Sequence, residues 1–191
     1  MTKKVALFVE NGSEELELIA PLDIMRRSGL EVDLISANDN KSIISAHGVN
    51  IVADKTINEV DDILIYDAIV IPGGMPGSEH LKNNSKIIKF YQNMYNENKL
   101  VAAICAAPIV LNKAGLTADK NVTCYPGFEK QINFKNFDKN KAVVIDGNMI
   151  TAQGPAVAFL FGLEIVEYLL GKEKRDEVAN PMLINVLKEN I

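Results

Sequence analysis

Tryptophan is absent from this chain of 191 residues, and arginine occurs only at Arg26, Arg27 and Arg175. With 20 basic against 25 acidic residues the net charge is −5. A surface that binds nucleic acid gathers Lys and Arg and releases counterions from the phosphates, so this balance excludes DNA and RNA as expected partners. Cysteine is equally scarce: Cys105 and Cys124 stand alone, with no CxxC and no histidine cluster. That excludes a disulfide framework and a zinc site, and no metal is expected. Long apolar runs are missing too. Val5 to Val9 stops at Glu10, and Ala156 to Leu163 is followed by Glu164 and Glu167. The second is too short to span a bilayer, and the first too short for the signal peptide that Met1-Thr2-Lys3-Lys4 would otherwise suggest. The expectation is a cytoplasmic protein with no membrane partner and two free thiols.

What the chain does have is a core. Hydrophobic residues make up 48% and charged residues 24%, the balance of a soluble globular chain that can bury a sizeable interior. Its length fits a single domain over residues 1–191. Lys4 to Val9, Asp67 to Ile71 and Leu100 to Cys105 are short runs that read as strands buried on both faces, and Glu31 to Ser36 as a further strand. Helical spacing covers Glu15 to Ser28, closed by Gly29, and returns at Ile87, Ile88, Phe90, Tyr91 and Met94. Lys41 to Ala53 reads as one or two strands turning at His47-Gly48. A variable loop after Cys124 precedes a hairpin (Ala142 to Asp146, Met149 to Thr151) and an apolar helix from about Gly154 to Leu170. Strands alternating with helices predict an α/β fold: a doubly wound, mostly parallel sheet with helices on both faces.

In such sheets ligands bind beyond the carboxyl ends of the strands, where three motifs fall. Glu10-Asn-Gly-Ser-Glu-Glu-Leu-Glu17 has one glycine and four carboxylates, a set that repels phosphate and argues against a dinucleotide. By charge alone Glu14, Glu15 and Glu17 simply suit the first turn of a helix; by helical spacing Glu14 and Glu17 share a face and Glu15 does not. At Ala102-Ala-Ile-Cys105-Ala106-Ala-Pro108 a strand ends in cysteine and a helix starts at once, as in a nucleophile elbow. The helix dipole is expected to bring the Cys105 thiol below its free value of about 8.5, with Cys124 nearer to it. The alternative for any single cysteine is an inert, buried one. Pro72-Gly73-Gly74-Met75-Pro76-Gly77 offers backbone N–H groups to an oxyanion, although as a Gly/Pro turn it is unspecific.

The ordered set of segments KVALFVENGSEELE, DIMRRSGLEVDLIS, YDAIVIPGG, VAAICAAP, NVTCYP and TAQGPAVAF resembles the ThiJ/PfpI superfamily. Within it the match is to the branch of the parkinsonism-associated protein deglycase and its YajL-type bacterial relatives. The resemblance implies a flavodoxin-like, class I glutamine amidotransferase-like sheet and a homodimer, with Glu14 to Arg27 contributing to the contact. It also implies Cys105 as nucleophile, Glu17 as the carboxylic acid beside its sulfur, and Gly73, Gly74 and Ala106 as backbone donors. Tyr125, Gly154, Pro155 and His47 are placed around the pocket. One departure stands out. Many relatives carry histidine where this chain has Tyr125, so a Cys/His/acid triad gives way to a Cys105/Glu17 pair with Tyr125 as a polar lid. His80, after a Gly/Pro loop, is assigned to the surface.

By the same resemblance the activity is that of a cofactor-independent, glutathione-independent glyoxalase or protein deglycase acting on methylglyoxal or its early adducts on protein thiols and amines. A buried Glu17 facing sulfur is expected to have a raised pKa and to remain protonated. Two other readings stand beside it. One is a redox-sensing stress protein or chaperone that uses an oxidisable Cys105. The other, ranked lower, is a cysteine peptidase or amidase, which would need an imidazole where Ala106 and Tyr125 sit.

Overall fold

A strand with apolar side chains on both faces is stable only where both faces are covered. The computed structural model, which describes residues 2–184 and 186, satisfies this with two helical layers around one sheet. The expected extent of 1–191 reaches beyond these residues at both ends. In chain order the described strands and α-helices are β1 (Lys4–Val9), α1 (Glu15–Arg27), β2 (Glu31–Ser36), β3 (Ser42–Ile44), β4 (Asn50–Val52), β5 (Lys55–Thr56), β6 (Ala68–Ile71), α2 (Gly77–Asn83) and α3 (Ser85–Asn96). They continue with β7 (Leu100–Ile104), α4 (Pro108–Lys113), β8 (Asn121–Val122), β9 (Asn136–Phe137), β10 (Val143–Asp146), β11 (Met149–Ala152), α5 (Ala158–Leu170) and α6 (Lys172–Ala179). The sheet runs β10-β11-β7-β6-β1-β2-β5. Every neighbour is parallel except β10 on β11. The doubly wound α/β architecture is therefore as expected.

Alternation along the strands divides the interior in two. Val5, Leu7 and Val9 face Leu18, Ile24, Phe161 and Ile165 of α1 and α5, while Ala6 and Phe8 face Ile87, Phe90, Met94 and Val110 of α3 and α4. Beyond the sheet, β3 and β4 form a separate antiparallel hairpin turning at residues 46–48. Backbone bonds strap it to the loop after β1: the amide of Gly12 donates to Ile44 at 2.8 Å and that of Ala46 to Ser13 at 2.8 Å. Asn11 Oδ1 accepts from the Ile44 amide at 2.8 Å.

Several boundaries differ from the periodicity. The Cys105 strand stops at Ile104 and α4 waits until Pro108, so a three-residue turn intervenes where a helix was expected at once. Proline has no N–H to give and sits at N1, where none is needed. The helix expected from Gly154 opens instead with a 3₁₀ turn at Pro155–Val157 before α5. The variable loop after Cys124 holds a 3₁₀ turn at Phe128–Gln131, and β9 pairs in parallel with β8 behind it. The periodicity had no expectation for α2 and α6, which are short or polar.

One contact sets the spacing of α1 and α5. A Cβ placed on Gly162 would lie 2.9 Å from Pro21 Cα, closer than packed atoms allow. Gly162→Leu is therefore expected to destabilise the protein by about 1 to 3 kcal/mol through overpacking, even though leucine favours helix. Urea denaturation measures it, and a variant as stable as the parent would show that the two helices can separate freely.

Candidate active site

The carboxyl ends of β1, β6 and β7 deliver three loops to one point, beside the reversal of strand order between β1 and β6. The loop after β1 ends in α1, whose first turn carries the acid. Glu14 is the N-cap, with its carboxylate accepting from the Glu17 amide at 2.8 Å. Glu17 itself turns inward and is fully buried. Its Oε2 accepts the Gly73 amide at 2.9 Å, while Oε1 has no hydrogen-bond partner. Glu15 turns the other way, to His47 Nδ1 at 2.9 Å. Glu10 lies apart and holds the Asn38 amide group at 2.6 Å. The three early glutamates, alike in composition, thus do three jobs: cap, buried acid and hydrogen-bond partner of His47.

Cys105 lies directly after β7, with its amide bonded to Ala152 at 2.9 Å and its carbonyl receiving the Tyr125 amide at 2.9 Å. Its φ of +64° is unusual for a residue with a side chain, and left-handed strain of this kind gathers at functional turns. The turn aims the thiol at the Glu17 carboxyl, and the backbone N–H groups of Gly74 and Ala106 point at the sulfur. Glycine at position 73 makes this possible: a Cβ there would lie 2.6 Å from Cys105 Cβ and 2.6 Å from Glu17 Oε2. Gly74, at φ +90°, is bound as tightly, since its Cβ would fall 2.3 Å from the Glu14 nitrogen.

Two expectations change here. Gly73, expected as an oxyanion donor, spends its N–H on Glu17, leaving Gly74 and Ala106 as the amides that face sulfur. And neither thiol is acidified. Burial and the neighbouring Glu17 carboxylate push Cys105 well above the ordinary thiol range, against the opposing pull of the Gly74 and Ala106 amides. Burial pushes Cys124 up to about 12. The helix dipole loses because α4 starts only at Pro108 and is six residues long, while Cys105 is just 9% exposed. Glu17 is raised to about 7, chiefly by desolvation, with the Glu14 charge adding to it. The acid therefore titrates near neutrality instead of staying protonated throughout.

Around this pair, Tyr125 packs its ring against Gly154, where a Cβ would lie 3.1 Å from Tyr125 Cδ2 and 3.9 Å from Glu17 Oε1. Tyr125 and Gly154, together with Pro126, Gln153, Pro155, Ala156 and Val157, line an apolar hollow of about 260 Å³. Ala156 and Val157 escaped the sequence reading, although their signal was present: they directly follow the Gly154-Pro155 pair at the end of a strand. His47 sits on the hairpin turn, exposed, and His80 is exposed on α2. Among the described residues the one group able to offer converging metal ligands is Glu14, Glu15 and His47, with donor atoms within 4.8 Å of one another.

A doubly wound α/β protein with a cysteine on a strained strand-to-helix turn, faced by a buried carboxyl, is the class that this geometry defines. A profile of the DJ-1/PfpI family matches residues 3–168. The chain belongs to that family. It is 36% identical over 185 residues to protein dj-1beta of Drosophila melanogaster, covering 96% of this chain and 98% of that one. The crystal structure of that protein superimposes with a TM-score of 0.91 over 96% of this chain and 98% of the other, again at 36% identity. Toxoplasma gondii DJ-1, in an oxidised form, gives a TM-score of 0.90 at 34% identity over 95% and 98% of the two chains. Identity is also 36%, over 184 residues, to the protein DJ-1 homolog B of Arabidopsis thaliana, but there the chain spans 96% of itself and 42% of the relative. No helix among the described residues is long and apolar enough to cross a membrane.

The raised pKa of Glu17 has a consequence for stability with a definite sign. Folding favours the protonated form of a carboxyl whose native value, about 7, exceeds the unfolded value of about 4.3. The penalty is absent well below pH 4, grows between the two values and is complete above 7. Gln copies the protonated shape, so Glu17→Gln is expected to be more stable than the parent at pH 8, by on the order of 2 kcal/mol, with the gain vanishing towards pH 4. Urea midpoints at pH 8, 6 and 4.5 measure this. A pH-independent difference would mean that Glu17 is ionised without penalty.

Proposed function

We propose that the protein is a cofactor-independent enzyme that converts methylglyoxal, free or as its early adducts on protein thiols and amines, to a hydroxy acid at Cys105. The observation that carries the reading is the enclosed pair: a thiol and a carboxyl of near-neutral pKa within one buried turn, with two amides aimed at the sulfur. Membership of the DJ-1/PfpI family supports it. Because the thiol rests protonated, attack begins with the Glu17 carboxylate taking its proton as sulfur bonds to the aldehyde carbon. The oxyanion so formed is met by the Gly74 and Ala106 amides and protonated by Glu17, giving a hemithioacetal. Glu17 then removes the hydrogen of that carbon and returns a proton to the neighbouring carbonyl carbon. The first carbon rises to the acyl level as the second falls to an alcohol, so no external oxidant takes part. Water cleaves the thioester, releasing lactate and restoring the thiol.

A second reading uses the same atoms. Oxygen atoms added to Cys105 sulfur would lie against the Gly74 and Ala106 amides and a protonated Glu17, a setting for a redox-sensing stress protein or chaperone. What favours it is the relative from Toxoplasma gondii, whose structure is of an oxidised form. A peptidase needs an imidazole to protonate a leaving amine, yet His47 is taken by Glu15 and both histidines are exposed.

Assembly belongs to the same proposal. Leu16 and Ile19 on α1, and Ile44, Val49 and Val52 of the hairpin region, are large apolar side chains that stand exposed, and a second copy of this chain would cover them. Light scattering is expected to report a dimer, and Leu16→Asp combined with Val52→Asp to return a 21 kDa species. A monomeric parent would remove the homodimer.

Turnover tests the chemistry. Cys105→Ser is expected to lose methylglyoxal consumption, and Glu17→Gln to lose about 10²- to 10⁴-fold, the usual reach of general acid–base catalysis. Glu15→Gln should change little. The competent form of the pair lacks the Glu17 proton, so kcat/KM should rise with pH through about 7 in the parent and lose that step in Glu17→Gln. Glu17→Gln at the parental rate would remove the mechanism and leave Cys105 as an oxidisable thiol.

A further inference from the structure

We infer that the groove between α3 and the far end of α4 is a second binding site, for a phosphorylated polyol of the sugar phosphate class. It holds about 800 Å³, and neither Cys105 nor Glu17 lines it. The Cys105 turn leads into α4 at Pro108, whereas the groove begins at its last residue, Lys113, and runs across to α3. Both helices cover the face of the sheet opposite α1. The site is therefore independent of any aldehyde chemistry at the thiol.

Three observations carry it, and the first is charge. In a chain with 25 acidic residues, the 12 residues of α3 include no carboxylate. Helical spacing sends its Ile87, Phe90, Tyr91 and Met94 to the core and turns Lys89, Gln92, Asn93 and Asn96 to the groove. Lys82 and Lys113 join from the flanking helices, so three ammonium groups line the groove and, among the described residues, no carboxylate does. Lys82 is held by Glu79 at 2.8 Å from outside the groove, while Lys89 and Lys113 form no ion pair among the described residues. Asn83 and Ser85 place one end of the groove at the start of α3, where the helix dipole also favours an anion.

The second is the row of amides beside the lysines. Gln92 gives its Nε2 to the Ala114 carbonyl at 3.1 Å, which ties α3 to the end of α4 and leaves its Oε1 free. The side chains of Asn93 and Asn96 make no hydrogen bond among the described residues. An amide offers both a donor and an acceptor, the pair that a hydroxyl group uses. A bare anion has no use for the acceptors, so the row calls for hydroxyls next to the charge. The third is shape. No aromatic side chain among the described residues lines the groove, which leaves a nucleobase nothing to stack on. Ile88 and Leu116 provide a narrow apolar strip that suits the C–H face of a sugar. Gly115, at φ +79°, has open space where a side chain would stand, and the mouth stays wide.

The experiment titrates the full chain with glucose-6-phosphate, glucose and inorganic phosphate, reading affinity by calorimetry and position by the NMR shifts of backbone amides. Glucose-6-phosphate is expected to bind at least about tenfold more tightly than either half alone, the worth of one added hydrogen bond to a charged group. Its shifts should gather in residues 82–96 and 113–116 and spare Gly73, Gly74 and Cys105. Lys89→Gln combined with Lys113→Gln should weaken binding at least about tenfold, while Lys89→Arg with Lys113→Arg keeps it. Asn93→Asp, which sets a carboxylate in the row, should weaken glucose-6-phosphate as well. All these side chains lie at the surface, and an unchanged urea midpoint confirms that the variants fold. Raising the salt to about 1 M, where the screening length falls to about 3 Å, should weaken the phosphate ester and leave glucose unmoved. Inorganic phosphate binding as tightly as the sugar phosphate would reduce the groove to an adventitious ion only and overturn the inference. Shifts confined to other parts of the chain, or no saturable shift with millimolar glucose-6-phosphate, would overturn it too.

Discussion

The site depends on one steric constraint, the absence of a side chain at position 73. Cys105 and Glu17 come from elements far apart in the chain, and each lies where the first carbon of a residue-73 side chain would have to be. Remove the glycine and sulfur and carboxyl are driven apart; keep it, and its freed amide hydrogen is used to fix the acid. Gly74 repeats the condition against Glu14, so the two glycines bring the loop after β6 against the start of α1 at backbone distance. The surrounding sheet serves to hold β1, β6 and β7 in the register at which these approaches coincide.

That closeness determines the electrostatics. A thiol and a carboxyl enclosed together cannot both carry charge cheaply, and burial works against either one ionising alone. Sulfur therefore keeps its proton while the acid moves into the neutral range, the reverse of an arrangement in which a helix dipole produces a ready thiolate. The two inward amides and a short, late-starting helix are too weak to change the order. In the proposed reaction the first step is accordingly the passage of a proton from sulfur to oxygen.

Much of the fold was legible because it follows from short-range rules. The runs of Lys4 to Val9 and Asp67 to Ile71 have no polar break, which only a doubly covered strand tolerates, and they fall where periodicity places them. Legibility failed where geometry in three dimensions decides. Nothing local says that the helix after Cys105 is delayed by three residues, or that burial outweighs the dipole, so the sign of the thiol shift was misread. Which glutamate turns inward was half visible: spacing separated Glu15 from the other two, but only the tertiary approach of Gly73 distinguishes the cap from the acid. Ala156 and Val157 look like ordinary small residues until β11 ends beside Tyr125.

The strained turn at Cys105, sheltered by Tyr125, also bears on how the molecule survives in a cell. A standing thiolate is spent on whatever oxidant or electrophile arrives first. A sulfur that keeps its proton and is nearly closed off reacts slowly with casual encounters. For the proposed reaction, selectivity of this kind would be kinetic, residing in the resting state of the Cys105 thiol before any substrate is bound.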